Sequence, residues 1–497
     1  MDKFYITTSI PYATSAPHVG HILDPLIADV LARYHRIRGD RVRFLVGTDE
    51  HGAKVVKKSE EMGKTPKELV DENSAKYRDM HKLLNIEWDD FIRTSDQKRH
   101  WPGAQKMWRE LKGSGDVYWK KYKGLYCVGH EAFITEKDLV NGKCQDHQTK
   151  PEIINEENWF FRLSKYSKQI EKAISSDQMR VKPESRKNEI LSFIREGLND
   201  ISVSRPQKDI PWGVPVPDDP TQVMYVWLEA LTCYVSSIGY GQEDDQSRNL
   251  LNQWWPADIQ VVGKDNLRFH AAIWPGMLLS AGLELPKEIF IHGFVNVEGQ
   301  KISKTVGNVI SPQIVVKKYG MDPIRYFFLR EFPSQDDGDF SYKKLEERYN
   351  GDLANGLGNL VQRVATLVDD KLDGELMYES EKCKVKSVNL ESYEKAIEDF
   401  RLHDALGEIW KLIAEANRYI DERRPWVEAK ENPDGFLQTM TGLVYMIHHI
   451  SWMLMPFMPE TSKKIFGIFS DDTTYLLPEG HKFIIKRKEA LFPRLNQ

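Results

Sequence analysis

The chain has 497 residues, 41% of them hydrophobic and 29% charged, which excludes a disordered or fibrous protein and suits about two to four domains with ordinary cores. A formal net charge of −5 excludes a generally sticky nucleic-acid binder, so any RNA contact must come from local patches and shape. Four cysteines make no disulfide framework, no basic leader opens the chain, and the most apolar late stretch, 443–458, is interrupted by His448, His449 and Pro456, so no membrane span and a soluble cytoplasmic protein are expected.

Residues 3–10 read as a β-branched and aromatic strand, and 11–17 as turn chemistry bounded by Pro11 and Pro17. His18-Val19-Gly20-His21 follows, and apolar residues recur at Ile22, Leu26, Val30 and Tyr34, so the spacing predicts a helix starting at the histidine pair. The free N–H groups and positive dipole end of such a helix suit an anion. His18 and His21 stand three apart and share one face, while Gly20 leaves room for a nucleotide. Alone, the two histidines serve equally well as caps, and the pattern needs a partner.

Residues 41–46 read as a second strand running into Gly47-Thr48-Asp49-Glu50-His51-Gly52, at the end where an open parallel sheet holds its ligands. Asp49, Glu50 and His51 are either ligand-facing or a polar loop and cap. From 65 to 111 the pattern is helical, and Gly113-Ser114-Gly115 punctuates it. Cys127 with His130, and Cys144 with His147, form two C-x2-H pairs separated by thirteen residues. Two thiolates and two imidazoles complete a tetrahedral shell with no position left for water, so one structural Zn2+ is expected; the alternative is coincidence among four polar residues.

Residues 157–163 carry aromatic strand propensity, and charged helices run on to Leu198. Arg205 leads into a connection over 211–217 too rich in proline for a central strand. In 223–235, helical spacing puts Trp227, Ala230 and Tyr234 on one face, either core or the wall of a pocket. A buried strand is expected over 259–262; beyond it Asp265 stands at the ligand edge or caps the next helix. An apolar strand and a glycine turn over 289–299 precede Lys301-Ile302-Ser303-Lys304-Thr305. Its two ammonium groups suit the charge that builds up in phosphoryl and nucleotidyl transfer. From 349 onward apolar residues recur at three- and four-residue spacing, as in Leu402, Leu406, Ile409 and Ile413. This predicts a helix bundle, which by itself equally suits a protein-interaction module.

Together and in this order, H-x-G-H and K-x-S-K-T resemble the two signatures of the class I aminoacyl-tRNA synthetases, and the G-T-D-E-H-G run, the W-L-x-A stretch and R-P-W are similar to the methionyl branch. The resemblance implies an α/β fold: a Rossmann-like parallel-sheet catalytic domain in two halves (1–115 and 201–300), a connective insertion with the zinc knuckle (116–200), a K-x-S-K-T loop and linker subdomain (301–348), and an α-helical bundle anticodon-binding domain (349–497). It implies that methionine is activated with ATP and Mg2+, then transferred to the 3′-terminal ribose of tRNA(Met), initiator tRNA included. His18, Gly20, His21, Gly293 and Lys304 would hold ATP, and His18, His21, Lys301 and Lys304 would be catalytic. Asp49 would face the amino group. Ile10, Tyr12, Trp227, Ala230, Tyr234 and His270 would line the side-chain pocket, with Arg205 and Asp265 close by; an aromatic pocket favours a thioether by ~0.3–1.5 kcal/mol. Asn359, Arg363 and Trp426 would meet the anticodon, the alternative for Trp426 being burial between bundle helices. Zinc knuckles of this insertion often carry more cysteines, and His130 departs from that pattern. No added domain follows the bundle, so a monomer is expected.

Overall fold

The computed structural model describes residues 2–127, 132–134, 136, 139–145, 148–302, 307–383, 385, 388–469, 473–485 and 489–495, with the backbone alone for 122, 123, 126, 132, 133 and 154–156. The chain divides into two compact units. The first is Met1–Pro17, Gly39–Lys82 and Glu87–His292; the second is His18–Arg38, Leu83–Ile86 and Gly293–Gln497.

The first unit is built on a six-stranded parallel sheet. Its strands are β1 (Lys3–Thr8), β2 (Arg41–Thr48), β3 (Asp90–Arg93), β6 (Arg180–Lys182), β7 (Ile259–Gly263) and β8 (Glu288–His292). The spatial order is β3-β2-β1-β7-β8-β6. Strands covered on both faces read as unbroken apolar runs, and β7 and β8 are buried at every position. The order reverses at β1, which pairs with β2 on one side and β7 on the other. The crevice at such a reversal, outside the carboxyl ends of the strands, is where ligands sit in open α/β sheets. Tyr5, Leu45, Ile92, Trp108, Leu228, Tyr234 and Ile289 belong to one buried cluster of this unit.

Three differences from the sequence reading have local causes. The helical pattern expected over 65–111 is two helices, Pro66–Leu83 and Trp101–Gly113, with β3 between them; four residues are too few to display a strand period. Residues 116–200, read as an insertion, form a long antiparallel pair of β4 (Val117–Cys127) and β5 (Glu152–Phe161), yet they also supply β6 to the edge of the parallel sheet. The helix expected from His21 begins at Leu23, after a separate 3-10 turn, Val19–His21.

In the second unit that turn and the helix Leu23–Ile37 accompany a small sheet and the bundle. Val295–Val297 pairs with Gln300–Lys301 through a tight turn in which Glu298 and Gly299 both have positive φ, 50° and 73°, the two-residue hairpin turn that matches strand twist. Bundle helices run over Asn359–Leu372, Leu402–Arg423, Pro433–Leu454 and Pro459–Phe469. The buried stripe Leu402, Leu406, Ile409 and Ile413 follows the expected spacing. Among the described residues no helix is long and apolar enough to cross a membrane.

Candidate active site

Asp49 closes β2 at its carboxyl end. Its N–H donates to Pro11 O at 2.9 Å and its carbonyl accepts from Ala13 N–H at 2.8 Å, so the loop after β1 is sewn beside it as a one-bridge extension of the sheet. This brings Tyr12 and Asp49 together, and Asp49 is 2% exposed. Tyr12 meets Trp227 edge to face, centroids 6.1 Å apart at 81°. On a neighbouring element Phe269 stacks on Trp227 at 3.5 Å and 12°. Ile10 and Trp227 are half-buried at the margin of the core, whereas Ala230, Tyr234 and His270 are buried. Tyr234 Oη lies 2.7 Å from His270 Nε2, and His270 Nδ1 lies 3.1 Å from Asn266 O. Only a protonated Nδ1 can bond a carbonyl, so the neutral ring takes the Tyr234 proton donor at Nε2. All six pocket residues read from the sequence thus fall in this unit. Phe269 was missed, because its neighbour His270 was the residue that carried the family pattern.

Arg205 is buried. Its Nη1 donates to Ser202 Oγ at 2.8 Å and Ser204 O at 2.6 Å, and the guanidinium lies 4.7 Å over the Tyr225 ring. With Gly52, Ala53, Trp212 and Tyr225 it lines a small recess. Asp265 is exposed in the 3-10 turn Lys264–Asn266 just past β7, where Gly263 and not Asp265 holds the N-cap position.

A second buried group escaped the sequence reading. Glu229, fully buried, accepts from His51 Nδ1 at 3.0 Å and from His100 Nε2 at 2.8 Å. Burial raises the Glu229 carboxyl, but the charge of His51 and hydrogen bonds from both imidazoles outweigh it and hold the group below the usual carboxylate range. The signal was a carboxylate inside an apolar helix, Val226–Leu231, which a buried position tolerates only with partners.

The second unit holds the signatures. His18 is the N-cap of the turn: Gly20 N–H donates to His18 Nδ1 at 3.1 Å, and His18 N–H donates to His21 Nδ1 at 3.1 Å. These reciprocal bonds make a capping box from two imidazoles, which is why the α-helix starts later than predicted. The rings lie 3.9 Å apart, tilted by 43°. A Cβ on Gly20 would stand 2.8 Å from His18 Cε1 and 3.0 Å from Ile302 Cδ1, so a larger residue would displace the His18 ring. Val19 N–H donates to Ile310 O at 3.0 Å. The first signature is therefore bonded to the chain five residues past the second. Lys301 is exposed, its Nζ 5.2 Å over the Phe294 ring, and its carbonyl accepts from Asn308 Nδ2 at 3.2 Å. Lys304 lies outside the described residues. A Cβ on Gly293 would meet Asp336 O at 2.0 Å, which gives that glycine a packing reason of its own.

A family model described as tRNA synthetases class I (M) matches residues 4–146 and 134–365, and one described as the anticodon binding domain of methionyl tRNA ligase matches 374–489. The methionine–tRNA ligase of Caldanaerobacter subterraneus is 43% identical, covering 99% of this chain and 79% of the relative. That of Brucella suis is 39% identical over 94% of this chain and 92% of its own. The chain belongs to the methionyl-tRNA synthetase family. A Mycobacterium tuberculosis methionyl-tRNA synthetase solved in complex with methionyl-adenylate shares its fold at a TM-score of 0.92 and 35% identity, covering 99% of this chain and 100% of that one.

Two further features are expected of a methionyl-tRNA synthetase. Asn359 is exposed and Arg363 half-exposed one helical turn on, and Trp426 opens the helix Pro425–Glu431. Trp426 is 44% exposed, not buried between helices, with the Arg363 guanidinium 5.8 Å over its ring. Cys127 and Cys144 are both buried, at the end of β4 and in the short strand Lys143–Cys144. His130 and His147 lie outside the described residues, and among the described residues no three candidate metal ligands cluster.

Proposed function

We propose that this chain, a member of the class I aminoacyl-tRNA ligases, joins methionine to tRNA(Met), initiator included, through methionyl-adenylate. The methionine carboxylate attacks the α-phosphate of ATP and pyrophosphate leaves; the 3′-terminal ribose hydroxyl of the tRNA then takes the methionyl group. The observation that carries this reading is the aromatic pocket, in which Trp227 is stacked by Phe269 and met edge-on by Tyr12 beside a buried carboxylate, Asp49. A polarizable thioether gains ~0.3–1.5 kcal/mol against such ring edges, and a buried carboxylate suits the substrate ammonium. Ile10, Ala230, Tyr234 and His270 shape the rest of the pocket, with Arg205 and Asp265 at its approaches. His18 and His21 donate to the phosphates over Gly20, beside Gly293, and Lys301 and Lys304 neutralise the pyrophosphate as it separates. Mg2+ accompanies ATP and screens its phosphates.

Asn359, Arg363 and Trp426 read the anticodon. Pyrophosphate exchange tests the first half of the reaction: methionine should stimulate it and leucine or valine should not, and equal stimulation by leucine rules the assignment out. Charging tests the second. A base stacked on an aromatic ring is worth ~1–3 kcal/mol, so Trp426→Ala should lose about ten- to a hundredfold in tRNA charging, at ~1.4 kcal/mol per factor of ten, while keeping its exchange rate and melting temperature. Normal charging by this variant removes Trp426 from recognition.

Cys127, His130, Cys144 and His147 hold one structural zinc. The equal C-x2-H spacing of the two pairs supports this, since two thiolates and two imidazoles complete a closed tetrahedral shell. Metal analysis of protein purified without a tag should return about one zinc per chain; a value near zero with an intact fold counts against the site. The protein works as a cytoplasmic monomer, which its mass by light scattering checks.

A further inference from the structure

The helix Val226–Leu231 carries Trp227 and Ala230 on one side and Glu229 on another, and His51, which Glu229 holds, stands two residues from Asp49. We propose that Glu229 is a positioning residue for methionine: through His51 and His100 it fixes the Asp49 loop against the pocket helix. The inference rests on Asp49 and Trp227 being the methionine-binding groups.

The geometry ties three separate segments to one carboxylate. His51 Nδ1 bonds Oε1 at 3.0 Å, and the His51 backbone N–H points at Asp49 Oδ1 at 3.4 Å, so ring and carboxylate hang from the same short loop. His100 Nε2 bonds Oε2 at 2.8 Å, and its Nδ1 lies 2.9 Å from Ser236 Oγ. His100 is in turn closely packed. It precedes the helix Trp101–Gly113, where a Cβ on Gly103 would stand 2.6 Å from Ser236 Cβ, so that helix and the short helix Cys233–Ser236 touch at van der Waals distance. The shared carboxylate is 0% exposed, His51 2% and His100 0%. Burial raises the Cys233 thiol, and the charges of Glu229 and Asp49 push it further the same way; both carboxylates therefore act on one buried point.

Stability alone does not call for this arrangement. Taking a carboxylate out of water is costly, and this one is kept there by bonds to two imidazoles. A carboxylate kept there and bonded to both imidazoles holds something in place, and what it holds through His51 is the loop that carries Asp49.

The test is pyrophosphate exchange by the full chain, with methionine and ATP varied separately. Activity of the parent is measured first, and its absence would overturn the functional reading and this one together. Glu229→Gln, which keeps the shape and removes the charge, should raise the KM for methionine about tenfold, with kcat and the KM for ATP within about twofold. An unchanged methionine KM, or equal rises for methionine and ATP, overturns the proposal. His100→Asn loses the bond to Oε2 and leaves the His51–Glu229 pair untouched, so it should give a smaller rise of about threefold for methionine alone. If Glu229→Gln does not fold, the His100 variant decides by itself, and a normal methionine KM there overturns the assignment.

Discussion

His21→Asn is expected to lose about 10²–10³-fold in methionine-dependent pyrophosphate exchange, the usual loss when one preorganised donor is removed from a developing charge, whereas His21→Gln keeps most of the rate. The expectation comes from the tautomers that the turn imposes. Each of the two rings accepts a backbone N–H at Nδ1, from Gly20 into His18 and from His18 into His21, both at 3.1 Å. A nitrogen that accepts carries no proton, so each neutral ring has its N–H at Nε2. In the proposed reaction the histidines thus present oriented Nε2 donors to the phosphates. Asparagine places an amide oxygen where Nδ1 stands and preserves the cap, but offers nothing at Nε2. Glutamine reaches the Nε2 position with an N–H. The loss in the asparagine variant should fall on kcat, with the KM for methionine little changed, because the donor acts on charge present mainly in the transition state. Equal rates for His21→Asn and the parent would reduce the imidazole to a structural cap.

Arg325→Met should destabilise the second unit by about 3–5 kcal/mol, the cost of removing one member of a buried ion pair. Arg325 is 0% exposed. Its Nη2 meets Asp29 Oδ2 at 2.7 Å, and the guanidinium donates to the carbonyls of Phe457, Leu84 and Pro456 at 2.8, 3.0 and 2.9 Å. Burial pulls the guanidinium below its ordinary value and Asp29 acts against that, and each of its three nitrogens has an acceptor. The same side chain clips the helix Leu23–Ile37, which follows the histidine turn, to the helix Met321–Glu331 and to the end of the bundle helix Pro433–Leu454. Methionine fills the space and leaves three carbonyls without their donor. Arg325→Lys should fare little better, since one ammonium cannot reproduce a planar fork. Urea unfolding monitored by far-UV circular dichroism measures the loss; a midpoint unchanged in Arg325→Met would mean that packing carries the junction without the charge.

Local pattern was enough for a large part of this protein. Strands β1, β2 and β7 were visible as apolar runs, the bundle helices as a repeat every three to four residues, and the pocket helix as Trp227, Ala230 and Tyr234 on one face, because each pattern is completed within a dozen residues and answers to backbone geometry alone. The two signatures were legible for a different reason: histidines, glycine and lysines stand at the fixed spacing of a known family pattern. β3 was hidden by its length and β6 by its place in a charged insertion. What only the tertiary structure decided is the set of contacts between distant residues: Phe269 on Trp227, Val19 bonded to Ile310, Arg325 on Asp29, and Glu229 between His51 and His100. Each joins elements that folding brings together from tens to hundreds of positions apart, and a single chain carries no periodicity that records such a meeting. The sequence by itself determined which side chains could bind, donate and neutralise, since that depends on their chemistry; the tertiary structure decided the protonated nitrogen of His18 and His21 and the partners of Glu229, since those depend on which atom lies within hydrogen-bonding reach.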